Sequence, residues 1–170
     1  MKFLLSCLML IFMLSCVEEK KQTPHFSERE FRDTMIKVNK KFVETENDRI
    51  NKYIQRRGLK VTETGTGLRY VITHKGTGMQ AKNGMIARVK YKVSLLNGTV
   101  CYDKTNTYEE FLIGMDDVES GLHEGITYMH VGDKAILILP THLAHGLIGD
   151  LNKIPPQSTI IYEIELLALF

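Results

Sequence analysis

The spacing of apolar residues changes at Gly58, and this change constrains the fold more than any other feature of the chain. Upstream of it, apolar residues recur from Phe31 onward at intervals of four, three and four residues, which is the spacing of one face of an α-helix. Downstream of it, apolar and polar residues alternate, which is typical of strands with one buried and one solvated face. The pattern predicts a helical segment over residues 26–58 and a sheet-containing domain over residues 59–170.

The helical segment has a recognisable start and an apolar stripe that needs a partner. Ser27 and Glu30 form a capping-box pair, and Phe26 precedes them where a hydrophobic staple begins. The stripe resumes at Ile50 after a polar interruption over residues 44–48, which leaves open a break into two helices. Because such a stripe is normally buried, we predict that it packs either on the domain itself or on the same helix of a second copy, which would form a homodimer.

The domain contains strand signals and one short helix signal. The alternating segments lie at residues 68–73, 87–95, 99–103, 111–113, 135–139 and 160–166. Asn97-Gly98 predicts a hairpin turn because both residues tolerate positive φ. Apolar spacing from Val118 to Met129 predicts one helix that begins near Asp116 or Asp117, whose carboxylates suit a helix N-terminus. These elements predict an α+β fold in which an antiparallel curved sheet of about five strands wraps around one short helix.

The first residues indicate export. Lys2 is followed by an apolar run over residues 3–14 that is too short to span a bilayer, which is typical of a signal peptide. The run ends in Met13-Leu14-Ser15-Cys16, which resembles a lipobox, where the cysteine is lipidated and becomes N-terminal after cleavage. We therefore predict a signal peptide over residues 1–15 and a lipidated Cys16 that opens a flexible tether over residues 16–25.

Lipidation at Cys16 predicts a membrane-anchored lipoprotein of the cell envelope, in the outer membrane on its periplasmic or surface side. The alternative is an ordinary secretory signal with an incidental cysteine. Cys7 would leave with the signal peptide, so Cys101 would remain as a free thiol and the mature chain would contain no internal disulfide.

Charge and motif spacing exclude several classes of function. The net charge is +2 and the basic residues are dispersed, so we predict no nucleic-acid partner. His142 and His145 lack an accompanying cysteine or carboxylate at ligand spacing, so we predict no metal site. The glycine-threonine-glycine repeats at residues 65–67 and 76–78 lack the lysine and the third glycine of phosphate loops, and they indicate turns.

From about Gly67 to Phe170 the chain resembles the FKBP family of peptidyl-prolyl isomerases in the order and spacing of its motifs. The matching pieces are Val89-Lys90-Tyr91, Asn97-Gly98, Tyr102-Asp103, Phe111-Leu112-Ile113-Gly114, Gly121-Leu122-His123-Glu124-Gly125-Ile126, Met129 to Ala135, Pro140 to Gly146, Ile154-Pro155-Pro156-Gln157-Ser158-Thr159 and Tyr162-Glu163-Ile164-Glu165-Leu166. Upstream, residues 53–58 and 64–70 resemble the lipoprotein branch of this family typified by the gliding-motility protein GldI of Bacteroidota.

The resemblance implies an FKBP-like fold and isomerisation of X-Pro bonds in proline-containing client polypeptides, without a cofactor. It implies an aromatic cup with Asp103 as the polar group at its rim, although Asp103 is equally typical of a turn residue that caps local amides. It also implies that Ile154 closes one side of the cup, that the amide of Glu119 donates to the substrate carbonyl, and that Ala144 and His145 lie in an overhanging loop. The residues that line the cup by resemblance are Tyr91, Tyr102, Val118, Leu122 and Tyr162.

Several positions depart from the family pattern. Tyr102 replaces a phenylalanine, Leu122 a tryptophan, Glu119 an isoleucine and His145 a tyrosine, and Glu109 falls near a position that is often aromatic. Two functional hypotheses therefore remain open. The first is an isomerase and folding helper that acts outside the cytoplasm. The second is a catalytically weak binding module that serves as a lipoprotein subunit of an envelope assembly, such as gliding or secretion machinery.

Overall fold

The computed structural model describes residues 27–170. The predicted signal peptide, the tether and Cys16 lie outside the described residues. The described residues divide into two units between Asn39 and Lys40, and the second, Lys40–Phe170, contains the entire sheet. Among the described residues, no helix is both long enough and apolar enough to cross a bilayer.

Helix α1 spans Glu28–Arg57 without interruption, so the alternative of a break over residues 44–48 is wrong. Its start is the predicted capping box, in which the Glu30 amide donates to Ser27 Oγ at 3.2 Å and the Ser27 amide donates to Glu30 Oε2 at 3.1 Å. Its end is the predicted glycine, because Gly58 has a φ of +63° and the Leu59 amide returns to the Ile54 carbonyl at 3.1 Å.

The second half of α1 packs on the domain, which was one of the two arrangements that the apolar stripe predicted. Ile50 and Tyr53 are buried against Ile138 and Ile161 of the sheet. Further towards the N-terminus the stripe is exposed, with Phe31 61% exposed. The homodimer remains a prediction for that part of the helix.

Seven strands of the described chain form one antiparallel sheet in the order β1-β2-β6-β7-β3-β4, and β5 also pairs with β3. The strands are β1 Thr62–Glu63, β2 Arg69–His74, β3 Ile86–Leu95, β4 Val100–Asp103, β5 Glu109–Leu112, β6 Lys134–Leu139 and β7 Ile160–Leu169. The α+β class is confirmed. The predicted curved antiparallel sheet with one short helix is confirmed as well, and the alternating segments correspond to β2 to β7, whereas β1 has only two residues, too few for any alternation to show.

The short helix α2 spans Ser120–Ile126, so its predicted start near Asp116 or Asp117 is wrong. The Asp116 carboxylate instead accepts the Leu112 amide at 2.7 Å, and its carbonyl accepts the Val118 amide at 2.9 Å. These two hydrogen bonds hold residues 112–118 in a turn, so α2 begins only at Ser120.

Two glycines bring α2 close to the sheet. A Cβ at Gly121 would lie 2.6 Å from Leu139 Cγ, and a Cβ at Gly125 would lie 2.6 Å from Leu137 Cδ1. The helix backbone therefore packs directly on β6, and the neighbouring Leu122 is buried in the core. This close approach places the beginning of α2 beside the strands that carry the candidate site residues.

Candidate active site

A hollow of about 680 Å³ opens between α2, the sheet and the β6–β7 loop, which comprises residues 140–159. Strands β3, β4, β5 and β7 form its walls, the segment that leads into α2 forms another side, and the loop covers the rest. Eight of the ten residues predicted for the site line this hollow. They are Tyr91, Tyr102, Val118, Glu119, Leu122, Ala144, His145 and Tyr162.

The floor of the hollow is aromatic and aliphatic. The rings of Tyr91 and Tyr162 lie with centroids 5.3 Å apart at an interplanar angle of 58°, a tilted aromatic contact. Tyr162 is 4% exposed and Leu122 is 3% exposed, so both present apolar surface from inside the core. The floor of the hollow is therefore largely apolar.

Two predicted residues do not line the hollow. Asp103 accepts the Thr105 amide at 3.0 Å and the Thr105 hydroxyl at 2.6 Å, which is the turn-capping alternative. The hydrogen bond from the Thr105 hydroxyl lowers the pKa of the Asp103 carboxyl most, and the bond from the Thr105 amide lowers it further. Ile154 is buried in the core, where its amide donates to Asp150 Oδ1 at 2.7 Å. The structure therefore does not place Asp103 or Ile154 among the residues that line the hollow, and their roles at a rim and a wall stay predictions.

Carboxylates form a polar rim around the hollow, and three of them each accept a hydrogen bond from one tyrosine hydroxyl. Tyr91 donates to Glu109 at 2.6 Å and Tyr162 donates to both oxygens of Glu119 at 3.0 Å. The third pair joins the Tyr102 hydroxyl to Asp150.

Sequence reasoning assigned no role to the Glu109 carboxylate and did not identify Asp150. The tyrosine partners lie 18 and 48 residues away from Glu109 and Asp150, so no local spacing reveals either pair.

The protonation states of these pairs follow from their surroundings. Burial, and then the adjacent carboxylate, raise the pKa of Tyr91 and of Tyr162 well above the usual tyrosine value. Burial opposes ionisation of Asp150, but its hydrogen bonds from Tyr102, Ile154 and Asn152 outweigh this and lower its pKa to about 2. At neutral pH the phenols are therefore neutral donors and Asp150 is charged.

The rim is predominantly anionic. Two nitrogen-bearing side chains contact it: Lys104 Nζ lies 2.8 Å from Glu109 Oε1, and His145 Nε2 lies 2.8 Å from Glu119 Oε1. The carboxylates that line the hollow are Glu109, Glu110, Asp117, Glu119 and Asp150. The hollow thus combines an apolar floor with an acidic edge.

Comparison with known proteins shows the family to which the chain belongs. Residues 77–167 match the family model of the FKBP-type peptidyl-prolyl cis-trans isomerases, and the chain belongs to that family. It is 38% identical over 109 residues to the FKBP-type peptidyl-prolyl cis-trans isomerase FkpA of Buchnera aphidicola subsp. Schizaphis graminum, a match that covers 63% of this chain and 42% of that one.

FkpA of Escherichia coli is a second relative in sequence and structure. The two sequences are 32% identical over 116 residues, which cover 68% of this chain and 42% of that one. The crystal structure of FkpA from Escherichia coli superposes with a TM-score of 0.61 at 25% identity, over 99% of this chain and 81% of that chain. The chain spans about two fifths of the length of these FkpA sequences.

Proposed function

We propose that the chain catalyses cis–trans isomerisation of X-Pro bonds in polypeptide clients. The observation that carries the proposal is the 680 Å³ hollow in which Tyr91, Tyr102 and Tyr162 meet Leu122. Membership of a family of prolyl isomerases supports it. The reaction makes and breaks no covalent bond, so it needs neither a nucleophile nor a cofactor.

The chemistry consists of stabilising a rotated amide. Rotation about the C–N bond crosses a barrier of about 18–20 kcal/mol because nitrogen donates its lone pair into the carbonyl and keeps the amide planar. The planar amide is the more polar form, so an apolar cup that excludes water removes solvation that favours it. Any site that binds the rotated form more tightly than the planar form lowers the barrier.

The residues divide this work between the floor and the rim. Leu122, Val118 and the tyrosine rings hold the proline ring, while the amide of Glu119, just before α2, is our candidate donor to the carbonyl that precedes the proline. The acidic rim favours a client with a basic side chain beside the proline and disfavours an acidic one.

The proposal is tested by a protease-coupled assay on residues 26–170 with an Ala-Lys-Pro-Phe peptide. Tyr102→Ala is expected to lower kcat/KM by about tenfold, a loss of roughly 1.4 kcal/mol of transition-state stabilisation. The reason is that the substitution removes one wall of the hollow and the hydrogen bond from the Tyr102 hydroxyl to Asp150. Asp103→Ala is the matched control, and it is expected to stay within about twofold of the wild type because Asp103 binds Thr105 and is not among the residues that line the hollow.

Two outcomes would contradict the proposal. Equal losses of kcat/KM in Tyr102→Ala and Asp103→Ala would show that the activity does not depend on the hollow. A wild-type rate no higher than the uncatalysed one would leave the alternative hypothesis of a binding module in an envelope assembly, which the altered residues Glu119 and His145 favour.

We further propose that the protein acts outside the cytoplasm as a lipoprotein anchored through Cys16. The signal-peptide pattern and the lipobox-like sequence support this location. Incorporation of labelled palmitate into the full chain, and its loss in Cys16→Ser, would test the anchor. Labelling that persists in Cys16→Ser would contradict it.

A further inference from the structure

A buried carboxylate on helix α1 has no part in the hollow yet is bound to the loop that covers it. Glu46 is 7% exposed. Its Oε1 accepts three hydrogen bonds, from the Thr141 amide at 2.8 Å, the Thr141 hydroxyl at 2.6 Å and the Thr159 hydroxyl at 2.6 Å. Burial of a carboxylate is costly unless such bonds replace water, so this contact is specific.

The two threonines stand at the two ends of the β6–β7 loop. Thr141 begins the short 3₁₀ helix Thr141–Leu143, whose preceding residue Pro140 supplies no side-chain cap, and Thr159 immediately precedes β7. One oxygen atom of α1 therefore holds both ends of the loop. The middle of the loop forms one wall of the hollow through Ala144, His145, Asp150 and Asn152.

A short series of contacts connects Glu46 to the rim. The Thr141 carbonyl accepts the Ala144 amide at 3.2 Å and the Gly146 amide at 2.9 Å, the two amides that flank His145. The His145 ring in turn contacts Glu119 at 2.8 Å. A shift of Thr141 would therefore move the wall that faces Tyr162.

We propose that Glu46 is a positioning residue for the hollow, which it shapes by fixing Thr141 and Thr159. This inference rests on the proposed isomerase function. Glu46 lies outside residues 77–167, the part matched by the family model, so a wall of the hollow is fixed by a residue from beyond the matched region. Removal of the carboxylate loosens the wall without altering any residue that lines the hollow.

The test compares Glu46→Ala with Ile50→Ala in the full chain, purified in detergent. Ile50 lies one turn later on α1 and is completely buried against Ile138 and Ile161. Its truncation to alanine therefore weakens the packing of α1 on the sheet but leaves the hydrogen bonds between Glu46 and the loop in place. Glu46→Gln supplies a conservative third variant, because a glutamine side-chain oxygen accepts hydrogen bonds from the same donors.

Two measurements are made under conditions where every variant is folded: peptide isomerisation and hydrogen exchange of the Ala144 and Gly146 amides. Glu46→Ala is expected to lower kcat/KM by about tenfold, mainly through a higher KM, and to accelerate both amides by about tenfold. Glu46→Gln is expected to restore most of each effect. Ile50→Ala is expected to stay within about twofold of the wild type in both measurements.

Unchanged exchange in Glu46→Ala, or equal changes in Ile50→Ala, would overturn the inference. A wild-type chain without activity would contradict the proposed function instead. In that case amide exchange would still decide whether Glu46 fixes the loop.

Discussion

Replacement of Tyr162 with alanine is expected to abolish measurable isomerisation and to lower the free energy of unfolding by about 3–5 kcal/mol. The ring is 4% exposed, contacts Tyr91 and lies on β7 opposite Leu137 and Val93. Its loss opens a cavity in the core and removes the floor of the hollow at the same time. Urea unfolding and the protease-coupled assay, performed below the unfolding transition, measure the two effects.

Tyr162→Phe is the matched control for this prediction. It keeps the ring but removes the donor to Glu119, so we expect a stability loss of about 1 kcal/mol and a smaller loss of activity. If the alanine variant does not fold, the phenylalanine variant still tests the role of the hydroxyl. Full activity in a folded Tyr162→Ala protein would show that the substrate binds elsewhere.

Gly149→Ala is expected to cost about 2 kcal/mol or more of stability and to lower kcat/KM by more than about tenfold. Gly149 has a φ of +72°, and a Cβ there would lie 2.2 Å from the Ile154 carbonyl oxygen. The backbone must therefore move next to Asp150, which binds the Tyr102 hydroxyl and the amides of Asn152 and Ile154. One wall of the hollow is displaced.

Gly146→Ala separates steric conflict from backbone strain. Gly146 lies in the same loop with a φ of +64°, but a Cβ there meets no atom within 4 Å. We expect it to lose about 1 kcal/mol, the cost of a left-handed alanine, and to retain most of its activity. Equal effects at the two glycines would show that the close approach to Ile154 has no consequence for the site.

Local sequence signals predicted individual elements well where the stabilising contact was itself local. The capping box of Ser27 and Glu30 joins residues three apart, and the Asn97-Gly98 turn has Gly98 at a φ of +91°. The predicted start of α2 was wrong because the Asp116 carboxylate accepts a hydrogen bond from the Leu112 amide instead of from the first amides of a helix. Both roles suit an aspartate, and only the packed segment selects one.

The site shows the same division. The family pattern identified eight of the residues that line the hollow, because each of these eight occupies a strand, helix or loop position that the motif spacing defines. It did not identify Asp150, because the hydrogen-bond partner of a polar side chain depends on the loop that covers it. Asp150 reaches Tyr102 across 48 residues of sequence.

The sequence by itself determined the α+β class, the long N-terminal helix and the family, since these depend on the periodicity and order of neighbouring residues. The tertiary structure alone decided which carboxylates border the hollow, that α1 continues through residues 44–48, and that Glu46 bonds Thr141 across 95 residues. The physical reason is the separation along the sequence of the residues that interact. Periodicity reports which face of an element is apolar, whereas a buried polar atom is satisfied by whichever donor the completed fold brings within about 3 Å.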